Sequence, residues 1–94
     1  GFMTTTTTTT TRAYTSWTRL WGMVLQAVPQ EGIGVLIGRI IPGQTAWTLG
    51  IRAGGRITHV NGNPLRGAFA VMRQQIRKVS DSSRGCTLIV EYTL

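Results

Sequence analysis

The fold of this chain is decided by residues 42–65, Pro-Gly-Gln-Thr-Ala-Trp-Thr-Leu-Gly-Ile-Arg-Ala-Gly-Gly-Arg-Ile-Thr-His-Val-Asn-Gly-Asn-Pro-Leu. The opening Pro-Gly pair stops the strand before it, and Gln44–Leu49 is long enough for only one or two helical turns. Gly50 then serves as a C-terminal helix cap. Arg56–Asn61 has the pattern of a strand, and the Asn61-Gly62 pair at its end is a strong turn signal. The stretch therefore predicts a turn, a short helix, a tight turn, a strand and a second turn.

The strand at Arg56–Asn61 contains an irregularity that is visible in the sequence. Ile57 and Val60 are both apolar but lie three positions apart, whereas the side chains of a regular strand return to one face every second residue. Simple alternation cannot bury both, which predicts a β-bulge or an end-of-strand turn between them. Asn63-Pro64-Leu65 allows a brief return strand at most.

Two apolar strands precede this stretch. They are Met23–Val28 and Ile33–Ile41, joined by a turn at residues 29–32. Gly34 and Gly38 lie inside the second strand, and glycine within a strand often marks a bulge or a close approach of the backbone.

A helix and a final strand follow the stretch. Ala68–Val79 is the one convincing helix, because its apolar residues recur at intervals of three and four and form a single stripe. These residues are Phe69, Met72, Ile76 and Val79. In the last strand apolar and other residues alternate, which predicts one buried face. The inward set is Cys86, Leu88, Val90 and Tyr92.

The element order is thus three strands, a short helix, a strand with a brief return strand, a longer helix and a last strand. This order predicts an α+β fold, mainly β, in which a five- to six-stranded, partly open antiparallel barrel or sandwich is capped by two helices.

The first strand begins within an uninterrupted run of threonines, Thr4–Thr11. As low-complexity sequence the run is typical of a flexible tail, and as a β-branched run leading to Tyr14 it is typical of an edge strand. We divide it, with a loose Thr-rich leader to about Thr7 and a strand from the later threonines to Tyr14. Gly1-Phe2 resembles a cloning remnant, so residues 1–7 are assigned to the remnant and leader and residues 8–94 to one domain.

The composition is strongly basic, with ten Lys and Arg against three Asp and Glu and a formal net charge of +7. The basic residues are scattered along the chain, and no block of five like charges occurs. This favours a basic solvent-exposed surface over a dedicated nucleic-acid site, and nucleic acid is not an expected partner. The alternative function is that this basic surface binds anionic lipid or nucleic acid, of which lipid is the more expected partner.

No catalytic or metal-binding motif is present. The sequence lacks Gly-x-Ser-x-Gly, His-Glu-x-x-His and P-loop patterns, so we predict that the chain is not an enzyme and carries no cofactor or metal. Cys86 cannot form an internal disulfide and is predicted to be a small core residue. His59 is the lone histidine and is predicted to be structural. An unpaired cysteine is compatible with a reducing compartment, and we expect a cytoplasmic location, at the inner membrane surface if lipid is bound.

Residues 42–65 resemble the central signature of PDZ domains, in which a Pro-Gly turn, a short Ala-containing helix, a Gly-hydrophobic pair, an Ile and Val-Asn-Gly recur. The resemblance extends over about residues 8–93 and implies a peptide-binding module without chemistry of its own. Gly55 departs from the family pattern, which usually has Asp at this position. The resemblance leaves open a regulatory PDZ segment of a larger protease.

The resemblance also implies a loop like Gly-Leu-Gly-Phe before the second strand, and two segments compete for it. Gly32-Ile33-Gly34-Val35 matches better by letter but leaves too little chain for two strands before Pro42. Leu20-Trp21-Gly22-Met23 fits by spacing and follows the basic Arg19, so we prefer it. Its departure from the family is Leu20 in place of the first glycine.

By this placement the Arg19–Met23 loop holds the terminal carboxylate of a peptide, because successive backbone N–H groups form an anion nest. The peptide itself pairs as an extra strand along Met23–Ala27. The helix Ala68–Val79 is the second wall, and the selector for the residue two before the end of the ligand is Phe69 or Ala70, which implies an apolar preference. The complete candidate site is Arg19, Leu20, Trp21, Gly22, Met23, Val24, Leu25, Phe69, Ala70, Met72, Arg73 and Ile76.

The expected partner is therefore the C-terminal peptide of another protein, as in a scaffold or adaptor. The end of the chain itself, Tyr92-Thr93-Leu94, has the apolar-x-apolar form that such a groove would accept. Self-association through this tail is the alternative to its simply ending the last strand.

Overall fold

The structure is a computed structural model that describes residues 9–16, 21–28, 33–80 and 85–93. Six strands and two helices follow one another along the chain. They are β1 (Thr9–Ser16), β2 (Met23–Ala27), β3 (Val35–Ile40), α1 (Thr45–Leu49), β4 (Arg56–Val60), β5 (Asn63–Pro64), α2 (Phe69–Ser80) and β6 (Cys86–Thr93).

The strands form one antiparallel sheet in the order β1-β6-β4-β3-β2, with β5 paired to β4. The long final strand β6 lies between β1 and β4 and pairs with both. β1 and β2 are consequently the two edges of the sheet. The predicted fold class is confirmed: the chain is mainly β, with six strands in an open antiparallel sheet and two helices.

Two irregularities in strand pairing fix which side chains face the core. Between the pairs Ile57–Val90 and His59–Ile89 the register shifts, so Thr58 is an extra residue. This bulge allows Ile57 and Val60 to be buried together, as their spacing predicted. A second shift makes Gly38 the extra residue of β3 opposite β2.

The core is apolar and draws on nearly every element. Leu88 and Val90 of β6 are fully buried, and α2 contributes Met72 and Ile76 from the predicted stripe. The inward alternation of β6 is confirmed, since its residues are buried at every second position. From α1 only Ala46 is buried, while Trp47 is 57% exposed.

The predicted element boundaries hold to within a residue or two. Helix α2 begins one residue later than predicted. Ala68 is the residue just before the helix, and its carbonyl accepts the first hydrogen bonds, from the N–H groups of Val71 and Met72. The strand predicted to begin at Ile33 begins at Val35, since Ile33 makes an isolated bridge to Arg66. The early part of the threonine run lies outside the described residues.

Gly55 occupies a position where a side chain has no room. A Cβ atom there would lie 2.6 Å from the Val90 side chain and 2.7 Å from the Tyr92 ring. Val90 and Tyr92 thus fill the space that a side chain at position 55 would need. None of the helices in the described part of the chain has the length and apolar character to cross a membrane.

Candidate functional site

A groove of about 290 Å³ lies between edge strand β2 and helix α2. Its lining combines the residues before and within β2 with one side of α2 and the end of β3. The lining residues are Trp21, Gly22, Met23, Leu25, Ile41, Arg73, Ile76, Arg77 and Ser80. The lining is therefore mainly apolar, with two guanidinium groups and one hydroxyl.

Trp21 lines the groove and is anchored in the core, since its side chain is only 6% exposed. Its indole Nε1–H donates to Ser80 Oγ over 3.0 Å, and Ser80 Oγ in turn lies 3.7 Å from Cys86 Sγ. This chain of buried contacts links the start of β2 to the last residue of α2 and to β6. Trp21 is at once a core residue and a wall of the groove.

The backbone at Gly22 approaches a neighbour too closely for any other residue. Gly22 has a φ of 72°, in the left-handed region that favours glycine. A Cβ atom at this position would overlap the Cβ of Gln44. The segment that precedes β2 is thereby held tightly against the chain entering α1.

Two consecutive N–H groups at this end of the groove point away from the body of the sheet. The Trp21 carbonyl accepts from the Ala46 N–H (2.7 Å), and the Gly22 carbonyl accepts from the Ile41 N–H (2.9 Å). In a trans peptide the C=O and the following N–H point in opposite directions, and no described peptide bond is cis. The N–H groups of Gly22 and Met23 therefore point away from α1 and β3, an arrangement that suits an anion.

Strand β2 offers one unpaired edge beside the groove. It pairs with β3 on one side, and among the described strands none lies on its other side. Met23 and Leu25 line the groove, whereas Val24 between them is 45% exposed and does not line it. Alternation along the strand thus directs every second side chain into the groove.

Helix α2 forms the opposite wall with one buried isoleucine and two exposed arginines. Ile76 is buried, and Arg73 and Arg77 on either side of it in sequence are exposed. The described residues contain one carboxylate side chain, that of Glu91, and it pairs with Arg56 over 3.0 Å.

The groove contains some of the residues that the sequence predicted for it. Six of them line it: Trp21, Gly22, Met23, Leu25, Arg73 and Ile76. Met72 lies in the core, and Phe69 is half-buried against the core. Ala70 is exposed and, like Val24, does not line the groove. Arg19 and Leu20 lie outside the described residues.

Three lining residues were not predicted from the sequence. Arg77 lies one turn beyond Arg73 on the same helix, so the helical spacing could have indicated it. Ile41 continues the apolar pattern of β3. Ser80 lies one residue past the predicted end of the helix and carries no local signal.

Cys86 and His59 are the other side chains that the sequence offers for chemistry. Cys86 is buried at the start of β6, and burial raises the pKa of its thiol, which disfavours the reactive thiolate. His59 Nδ1 lies 2.9 Å from the Thr58 hydroxyl. Within the described ranges no group of His, Cys, Asp and Glu side chains could hold a metal ion.

The chain matches the model of a known family. The family described as the PDZ domain matches residues 14–90, which is most of the chain. The comparison with curated proteins gave no match.

Proposed function

This chain belongs to the PDZ family and is therefore a protein–protein interaction module, and we propose that it binds the C-terminal tail of a partner protein in the groove between β2 and α2. The tail would add to the sheet as a further strand beside β2. Backbone hydrogen bonds would supply affinity, and side-chain pockets would supply selectivity.

The observation that carries this proposal is the unpaired edge of β2 beside an apolar groove. An exposed strand edge presents a row of N–H and C=O groups that another extended chain can satisfy. On most edges such pairing is non-selective. Here the groove beside the edge offers Met23, Leu25 and Ile76 to alternate side chains of the incoming strand.

The terminal carboxylate of the ligand would sit at the Arg19–Met23 loop. A carboxylate leaves water at low cost only when its oxygens receive hydrogen bonds. The N–H groups of Gly22 and Met23 would be two such donors, because the carbonyls of the same two peptide groups accept bonds from Ala46 and Ile41 on the opposite side. Arg19 and Leu20 belong to this proposal by their position in the loop.

The apolar residues of the groove favour an apolar last residue in the ligand. For the residue two before the end we propose an apolar preference, with Phe69 or Ala70 as the selector; both lie at the start of α2, outside the groove lining. A groove of this size is consistent with micromolar affinity, about −7 to −9 kcal/mol. Docking of the chain's own end in a neighbouring groove would require Tyr92 to leave its buried position and its pairing with Thr10 in the sheet.

The decisive experiment is a screen of random C-terminal peptides, followed by retesting of the hits with amidated ends. We expect amidation to abolish most of the binding, because it removes the charge that the loop N–H groups receive. Equal binding of free and amidated peptides would show that the groove does not capture a chain terminus.

A matched pair of variants locates the binding to β2. Leu25→Ala removes an apolar side chain that lines the groove, and we expect roughly a tenfold loss of affinity, about 1.4 kcal/mol. Thr11→Ala changes an exposed residue on the opposite edge and should leave affinity unchanged. Equal losses in the two variants would move the site away from the groove.

A further inference from the structure

We infer that the preferred tail is acidic: it carries carboxylate side chains in addition to its terminal carboxylate, and Arg73 and Arg77 select them. This inference rests on the proposed function, since it concerns the same groove. It adds a class of ligand to what the apolar lining alone would specify.

The first support is the position of the two guanidinium groups. Arg73 and Arg77 are one helical turn apart on α2, and both line the groove. Both are exposed, with the buried Ile76 next to Arg77 in sequence. A strand bound against β2 would therefore pass an apolar strip bordered by two cations.

The second support is the charge balance around the groove. The one carboxylate side chain among the described residues, Glu91, is engaged by Arg56 on the sheet and does not line the groove. Both charged groups in the described lining are cations. A bound tail with carboxylates would meet complementary charge, and a basic tail would meet like charge at close range.

Arginine is well suited to this selection. Its planar guanidinium can donate two parallel hydrogen bonds to one carboxylate, which adds geometric preference to charge attraction. Exposed ion pairs contribute little when isolated. Hence we expect each favourable carboxylate to raise affinity about three- to fivefold.

The experiment compares peptides that are identical except at the residues before the last one. One peptide carries Glu and Asp there and the other carries the near-isosteric Gln and Asn, and both end in the same apolar residue with a free carboxylate. Titration is followed by fluorescence anisotropy at low and high salt. We expect the acidic peptide to bind several-fold tighter, with a difference that shrinks as salt screens the charges.

Variants of the helix assign the preference to residues. Arg73→Gln and Arg77→Gln should lower affinity for the acidic peptide several-fold more than for the neutral peptide, so that the ratio of the two affinities falls toward one. Lys78→Gln is the matched control, because it removes the same charge from the same helix at an exposed position that does not line the groove. It should retain the full acidic preference, and a thermal melt of each variant checks that the fold is intact.

The outcomes separate this inference from the proposed function. If acidic and neutral peptides bind equally while amidation still abolishes binding, the acidic preference is wrong and terminal capture stands. If amidation has no effect, the proposed function fails. An equal loss of preference in Lys78→Gln, or competition by phosphatidylserine vesicles that depends on Arg73 and Arg77, would overturn the assignment to an acidic tail.

Discussion

Among the described strands, β1 and β2 each pair on one side only, but these two edges of the sheet are built differently. Of the β1 side chains Ser16 is buried and Tyr14 is half-buried, and the exposed remainder is largely threonine. β2 is shorter, and α2 stands beside it and turns its edge into one side of a groove. The β2 edge therefore differs from the β1 edge in having a helix beside it, and the proposed binding site depends on that helix.

The difference also lies in how each edge is held in place. The start of β2 is fixed by contacts to three elements, through Trp21 to Ser80 and Ala46 and through Gly22 to Ile41. β1 is held by its ladder to β6 and by contacts such as that between the Tyr14 and Tyr92 hydroxyls. Fixed geometry lowers the ordering cost of binding, so the better-anchored edge is the one suited to receive a ligand.

Gly22→Ala should have the largest effect of any single change at either edge. The new Cβ would overlap Gln44, and the φ of 72° is strained for alanine. Together these costs should lower the free energy of unfolding by about 3 kcal/mol and abolish peptide binding. Urea unfolding measures the first effect and peptide titration the second.

Gly43→Ala is the control for this prediction. Gly43 has a similar φ of 82°, but nothing lies within 4 Å of the position of its Cβ. Backbone strain alone should cost about 1 kcal/mol there and leave binding intact. If the two variants lose equal stability, the tight contact between Gly22 and Gln44 does not anchor the β2 edge.

Ser80→Ala tests the second anchor of the β2 edge. It leaves the buried Nε1–H of Trp21 without its partner, which should cost about 2 kcal/mol of stability and weaken peptide binding. In a Trp21→Phe background there is no indole N–H that could lose its partner. The same serine change should then lower the free energy of unfolding by about 0.5 kcal/mol or less. Equal costs in the two backgrounds, measured by urea unfolding, would show that the hydrogen bond does not couple α2 to β2.

Much of the fold could be predicted from the sequence, because its signals are local. The stripe of Met72 and Ile76 predicted α2, and the alternation in β6 predicted its buried face. The three-residue spacing of Ile57 and Val60 predicted the bulge at Thr58. In each case the pattern lies within one element, where the period of the backbone decides which side chains face the core.

The groove was predicted less completely, because its geometry depends on residues far apart in the chain. The Trp21 indole donates a hydrogen bond to Ser80, which is 59 positions away in the sequence. No local sequence pattern predicts such a pair. The overlap of Gly22 with Gln44 likewise follows from the packing of two loops. Met72 and Ile76 belong to one apolar stripe, yet only Ile76 lines the groove. Sequence periodicity shows which residues face inward but not which of them border a groove.

At the other edge, Tyr14→Phe should have the smallest effect and a distinctive dependence on pH. Burial, with the hydrogen bond to Tyr92, raises the pKa of Tyr14 to about 12. In the unfolded chain the phenol ionises near its ordinary value of about 10. Between these values the unfolded state binds fewer protons than the folded state. The contribution of Tyr14 to the free energy of unfolding is therefore fully present below about pH 10 and falls as pH rises toward 12.

The phenylalanine variant removes this dependence. At neutral pH it should lose about 1 kcal/mol or less, the net value of one partly exposed hydrogen bond. Above pH 10 the difference in unfolding free energy between the two proteins should shrink, because only the protein with Tyr14 loses stability as this phenol ionises. Contributions that both proteins share, such as that of Cys86, cancel in the difference. Parallel curves of unfolding free energy against pH would show that Tyr14 does not hold β1 through its neutral hydroxyl, and peptide affinity should be equal in both proteins, since β1 lies at the edge away from the groove.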